Sequence, residues 1–254
     1  MNRTKMILRS SVVLALALSG CASHYALAEP SVRLGGSGLF NDPNQVSRIE
    51  KAMTDRDLAD LLDAHIRPKL PTSLAVARLQ DAHSGRYQLV TIDSKEVESW
   101  TKLIENVPHL GAVHPVSPLT AGDDTSVTMH SLRTAAARMN CELLLVYLQA
   151  DSSVNNYNDA SVLYWTVIGL WIAPGNTVEH KTVMQAILVD CRTGAVLGTA
   201  GGDCYLKKDC PTAFEDIRRR ELSDEAPSAA LADLQRGCGR LLKRLVESAV
   251  GKRN

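Results

Sequence analysis

Six cysteines, seven histidines and a few glycine and charge clusters are the residues whose chemistry could define a function in this 254-residue chain. No C-x-x-C spacing occurs, so thioredoxin-like exchange has no motif to run on. Cys204 and Cys210 flank the polar stretch Tyr-Leu-Lys-Lys-Asp. In an oxidising compartment, a disulfide between them closes a short loop worth about 2–2.5 kcal/mol by loop-closure entropy. The alternatives are two free thiols, or Cys238 taking one partner. Cys141 and Cys191 read as small packing residues. The histidines show no H-E-x-x-H, and Glu179-His180 lacks a ligand-spaced partner, so no metal site is expected. His109 and His114 flank Gly111 in a loop and could face one another. Gly35-Gly-Ser-Gly38 lacks the Gly-Lys-Ser/Thr ending of a phosphate loop and the closing glycine of a nucleophile elbow. Arg218-Arg-Arg220 is followed at once by Glu221, Asp224 and Glu225, the pattern of a self-paired solvated surface. No catalytic set can be picked from spacing. Trp165 and Trp171 flank Ile168-Gly169-Leu170; exposed, they make an apolar patch suited to a protein or membrane contact, and otherwise they are core.

The N-terminus is more specific. Arg3, Lys5 and Arg9 precede the apolar run Ser11–Leu18, then Ser19, Gly20 and Cys21. A basic segment, a short apolar segment and small residues before a cut describe a secretory signal, and the run is far below the roughly 18–20 residues of a membrane span. Leu18-Ser19-Gly20-Cys21 resembles the lipobox of bacterial lipoprotein precursors. That resemblance implies cleavage before Cys21 and a diacylglycerol thioether on Cys21, a covalent lipid and the one prosthetic group expected. Ala22, where Asp would signal retention, resembles the outer-membrane sorting pattern of Gram-negative lipoproteins. The expected location is therefore the outer membrane, facing the periplasm.

This reading changes the charge arithmetic. The chain has 28 basic and 28 acidic residues. Three of the bases and none of the acids lie in residues 1–20, leaving 25 against 28 and a formal charge of −3. Neither figure supports nucleic-acid binding. Residues 1–20 are read as signal, 21–50 as a lipidated flexible tether and 51–254 as one domain. The tether has Gly/Ser composition and reach on the order of 5–6 Å times the square root of its length.

The elements that must position any site follow from periodicity. A helix is expected from Thr54, with Leu58, Leu61, Leu62 and His65 on one face, stopped by Pro68 and Pro71. Strands are expected over 73–80 and 87–92, followed by a helix capped at Asp93 or Ser94 that carries Val97, Trp100 and Ile104. Val113–Val116 reads as an edge strand, and residues 126–140 as a helix with Leu132, Ala135, Ala136 and Met139 inward. Leu143–Leu148 reads as a central strand buried on both faces. A polar loop is expected over 151–159, then strands over 162–172 and 178–189, with a turn at Asp190–Gly194 and a return strand over 195–200. A polar connection over 201–227 leads to a last helix striped by Leu231, Leu234, Cys238, Leu241, Leu245 and Ala249. The fold class is mixed α/β: one mixed sheet with helices packed on it.

Three landmarks carry a further resemblance: Leu70–Arg78, Leu132–Val146 and Ile187–Gly194. They resemble the rhombotarget type of Gram-negative lipoprotein, whose domain is broadly similar to the periplasmic domain of the curli-secretion lipoprotein CsgG and the N-terminal domain of TolB. The resemblance covers roughly residues 55–200. It implies a binding or assembly component rather than an enzyme, with an envelope protein as partner. Gly251-Lys-Arg-Asn254 departs from the Gly-Gly and hydrophobic tail of rhombosortase substrates, so no processing at that end is implied. Two other functions stay open at this point. One is an oligomeric secretion or transport element in which the 160–190 hairpin inserts. The other is a periplasmic enzyme whose site is assembled from distant residues.

Overall fold

A computed structural model of the chain describes residues 26–28, 30, 68–81, 87–121, 127–166 and 168–250. The helix expected from Thr54 and the lipobox lie outside them. In chain order the elements are β1 (Thr72–Asp81), β2 (Tyr87–Val90), α1 (Ser94–Ile104), β3 (Leu110–Pro115), α2 (Pro118–Ala121), α3 (Met129–Arg138) and β4 (Cys141–Tyr157). A 3-10 turn (Asp159–Trp165), α4 (Gly169–Ile172), β5 (Asn176–Asp190) and β6 (Val196–Cys210) follow. A second 3-10 turn (Thr212–Phe214) leads into α5 (Glu215–Val250). The six strands form one mixed sheet ordered β2-β1-β4-β5-β6, with β3 also on β1. β1 runs antiparallel to β2 and parallel to β3 and β4.

The packing divides the chain into two units, and β4, β5, β6 and α5 contribute residues to both. Among the described residues, the larger unit comprises 68–81, 87–121, 127–150, 182–204 and 228–250. Its central strands β1, β4 and β5 bury apolar residues on both faces, and the period-2 alternation of side chains sorts them into two cores. Ala75, Ala77, Leu79, Leu144, Val146, Leu148, Ile187 and Val189 pack on α3 through Leu132, Ala135 and Ala136. The intervening residues Leu74, Val76, Leu143, Leu145, Tyr147, Met184 and Leu188 pack on the other face against Trp100 and Ile104 of α1. They also meet Ala230, Leu234, Cys238, Leu242 and Val246 of α5, a strict four-residue stripe. Each Val, Leu, Ile or Met among them contributes about 1.5–3 kcal/mol when fully buried, before the entropy of ordering it.

Local chemistry fixes the element ends. The Asp93 carboxylate accepts from the Glu96 N–H at 2.7 Å and caps α1. Thr128 and Ser131 form a reciprocal capping box at α3. Between β5 and β6, Asp190 accepts from the Thr193 N–H and hydroxyl, and Gly194 takes φ +78°. Arg133 of α3 donates to the Cys191 and Arg192 carbonyls at 3.0 and 2.8 Å, holding that turn against the helix.

Three expectations are corrected. β4 does not end at Leu148 in a loop; it continues to Tyr157, since β5 supplies a neighbouring strand that satisfies the polar segment's backbone. The polar connection over 201–227 is not a loop: residues 201–210 are strand, because β6 is the last strand of the sheet and its polar side chains face water, and residues 215–227 are already α5, which runs through Pro227. The 162–172 strand does not exist: the segment is a 3-10 turn, a bend and one helical turn. A hairpin over 160–190, on which the inserting-transport reading relied, is therefore not formed. Among the described residues, no helix is long and apolar enough to cross a membrane.

Candidate interaction surface

Among the described residues, the smaller unit comprises 26–28, 30, 151–166, 168–181 and 205–227. Its small core is Val178, Cys210 and Leu222, with Leu206 packed against it. Polar contacts do much of the remaining positioning. The Asn158 side chain accepts from the Ala160 N–H at 3.0 Å, starting the 3-10 turn, and donates to the Pro174 carbonyl at 2.7 Å, closing the loop that returns to β5. Gly175 sits so close to Ser161 that a Cβ would lie 2.5 Å from its Cα, which only glycine permits. Thr177 donates to Asp209 at 2.6 Å, and Asn176 to Glu215 at 2.9 Å. The Tyr164 hydroxyl donates to the Cys210 carbonyl at 3.4 Å.

This scaffold leaves apolar side chains outward. Of the eleven large apolar residues exposed among the described residues, eight belong to this unit. Leu163 is 54% exposed, Ile168 70%, Trp171 59%, Ile172 72% and Phe214 41%. α4 lies against both 3-10 turns, so these residues come from three adjoining segments. The Trp171 and Phe214 rings meet edge to face with centroids 6.2 Å apart. Trp171 thus stands on the surface, as one of the two readings expected, and Trp165 falls in the neighbouring 3-10 turn. Sequence reasoning missed Ile168, Ile172 and Phe214. A continuous apolar run reads as buried strand unless its length and Gly169 are taken as signs of short turns.

The cysteine expectation is corrected. Cys204 and Cys210 share the single strand β6, six residues apart, which an extended chain stretches to about 20 Å. A disulfide requires Cα atoms within about 7 Å. The two are not bridged to each other, and Cys141, Cys191 and Cys238 are free thiols. Burial pushes the thiols of Cys141 up to about 11 and of Cys238 up to about 12. Burial, with the Asp190 carboxylate second, pushes Cys191 up to about 12. All three are packing groups. Cys21 lies outside the described residues.

His109 adopts φ +64° before β3, and His114 lies within β3 beside Ala75. His180 is buried with Nε2 3.6 Å from the Asp151 carboxylate. Among the described residues no three His, Cys, Asp or Glu side chains are grouped as metal ligands.

One buried polar cluster does form, in the larger unit. Arg78 donates to Glu96 at 3.2 Å and to Gln149 at 2.9 Å. The Tyr147 hydroxyl donates to the other Glu96 oxygen, and the Trp100 ring lies 5.8 Å from that of Tyr147. Burial first, and the Glu96 charge second, raise the Tyr147 phenol so that it stays a donor. Both carboxylate oxygens of Glu96 are thus engaged by neighbours, which is the chemistry of a structural clamp rather than a general base. Arg78 is partly buried with its charge matched by Glu96, and burial in β1 runs one residue further, to Leu79, before Gln80 and Asp81 are exposed.

No family model matches the chain, and no curated protein matches it. Solved structures give likenesses at low identity. A PelC dodecamer from Paraburkholderia phytofirmans is 11% identical, with 70% of this chain and 90% of that chain covered and a TM-score of 0.30. Lipoprotein GNA1162 from Neisseria meningitidis is 12% identical, with 61% and 97% covered and a TM-score of 0.30. A putative neuraminyllactose-binding hemagglutinin homolog from Helicobacter pylori is 9% identical, with 72% and 92% covered and a TM-score of 0.34. At these values nothing about function is drawn from them.

Proposed function

We propose that the protein is a lipid-anchored, non-enzymatic component of the Gram-negative envelope, held at the outer membrane through Cys21 and facing the periplasm. The observation that carries this is Leu18-Ser19-Gly20-Cys21 placed directly after a short apolar run with three cations before it. A two-chain lipid at Cys21 gives stable anchoring, at about 0.8 kcal/mol per buried methylene. The resemblance to rhombotarget lipoproteins supports a role in binding or assembling another envelope component. The sheet with its helices is the rigid scaffold. The exposed apolar surface around Trp171 is a contact surface carried on that scaffold.

The test is Cys21→Ala in the full-length chain, expressed in a Gram-negative host fed an alkyne analogue of palmitate. The wild type should take up the label and sediment with outer membranes. The variant should lose the label and keep the uncut precursor mass. A variant that is still cut and still membrane-bound removes the lipoprotein reading.

A further inference from the structure

We propose that the Leu163, Ile168, Trp171, Ile172 and Phe214 surface rests on the phospholipid of the membrane to which Cys21 anchors the protein. The inference builds on the Cys21 anchor and names what that apolar surface touches. Residues 26–28 and 30 belong to the same unit as this surface. Cys21 precedes Ala26 by five residues, and five extended residues reach at most about 18 Å. An anchor at Cys21 therefore holds Ala26, one point of the smaller unit, within that distance of the bilayer, whatever residues 31–50 do.

The side chains suit a lipid–water boundary. Trp171 presents an amphipathic ring of the kind enriched there, beside two isoleucines more than two-thirds exposed and a leucine. Tyr157 and Tyr205, each about half exposed, lie in the same unit. Three short segments, not one long helix, supply the surface, which fits shallow resting rather than insertion. The charges argue for contact without electrostatic attraction. Lys207 pairs with Glu179, Lys208 with Glu225, Arg218 with Glu221 and Arg219 with Glu215. Over residues 151–181 and 205–227 nine acids stand against six bases, so binding should be no stronger on vesicles containing phosphatidylglycerol than on phosphatidylethanolamine vesicles, and added salt should not weaken it.

The full-length protein purified from host membranes is reconstituted into such vesicles, with its mass recorded first. Tryptophan emission is then read against phospholipids carrying a nitroxide near the headgroup, and against aqueous iodide. The expected result is a lipid-modified mass, nitroxide quenching of part of the emission, and loss of that part in Trp171→Tyr. The double variant I168K/I172K should lose the quenching without touching any tryptophan. Both changes are at exposed sites, and an unchanged Tm shows that the fold survives. A lipid-modified protein with no nitroxide quenching and full iodide access overturns the proposal while leaving the anchor intact. Iodide shielding without nitroxide quenching, together with a multimer mass in light scattering, assigns the surface to a second copy and also overturns it. An unmodified mass overturns the anchor and the proposal with it.

Discussion

Glu96 shows at the residue scale why type and spacing are an incomplete guide to role. In sequence it is one acid in the first turn of an expected helix, and Arg78 is a cation interrupting an apolar strand. Neither says that they meet. Only the fold brings β1, α1 and β4 together so that Arg78, Gln149 and Tyr147 surround one buried carboxylate. A buried acceptor that loses its donor costs about 1–3 kcal/mol. Tyr147→Phe should therefore lower unfolding free energy by that order, since Glu96 loses its phenol partner while the ring still packs on Trp100. Urea denaturation of wild type and variant reads the difference. Equal midpoints would mean that the phenol contributes nothing. The cysteines teach the complementary lesson. Their spacing suggested a bridge because the intervening residues looked like loop, and an edge strand with a polar exposed side looks the same in sequence.

At the scale of elements, the central part of the sheet was legible. The 73–80 strand, the Asp93-capped helix, the Leu143–Leu148 core strand and the Asp190–Gly194 turn all form where periodicity and capping put them. These segments bury both faces or one helical stripe, so their pattern is imposed by packing and survives in the residue types. The 151–172 and 201–214 regions were not legible, because their conformation depends on neighbours far away in sequence rather than on burial. The last helix shows a mixed outcome. Its stripe is Ala230, Leu234, Cys238, Leu242 and Val246, whereas Leu231, Leu241 and Leu245 are only partly buried. The larger leucines drew the expected stripe one position aside, while small Ala230 was passed over. That small residue matters. At Gly202 of β6 a Cβ would lie 2.2 Å from the Leu234 nitrogen and 2.5 Å from the Ala230 carbonyl oxygen. The helix backbone rests directly on the strand. Gly202→Val must push α5 outward, and overpacking of this kind costs about 1–3 kcal/mol or more. A fall in Tm, with increased binding of a hydrophobic dye, is expected. An unchanged Tm would show that the helix can retreat without loss.

For the whole molecule, stability against pH follows from which groups the fold perturbs. On the acid side, the hydrogen bond to Arg192 leads in lowering the Glu142 carboxyl, with burial opposing it and the Arg192 charge adding to it. A lowered folded value gives stability that is present above the unfolded carboxyl range and is lost as pH falls through the folded value. On the alkaline side the sign reverses. Cys141, Cys191 and Cys238 are raised by burial to about 11, 12 and 12, from a model-peptide value near 9. Below the unfolded thiol value both states hold the proton and the contribution is complete. Above it the unfolded chain loses protons that the folded chain keeps, so stability falls until the folded values are passed. The urea midpoint should be flat between the acid limb and about pH 8.5, then drop steadily toward pH 11. Cys238→Ala creates a small cavity and lowers the plateau, so the informative quantity is the slope. Removing one raised thiol from the fully apolar stripe of α5 should make the alkaline limb shallower than in wild type. Identical slopes would mean that the alkaline limb comes from other groups, of which the raised Tyr147 phenol is the nearest candidate. Tyr147→Phe, measured over the same range, would then flatten it instead.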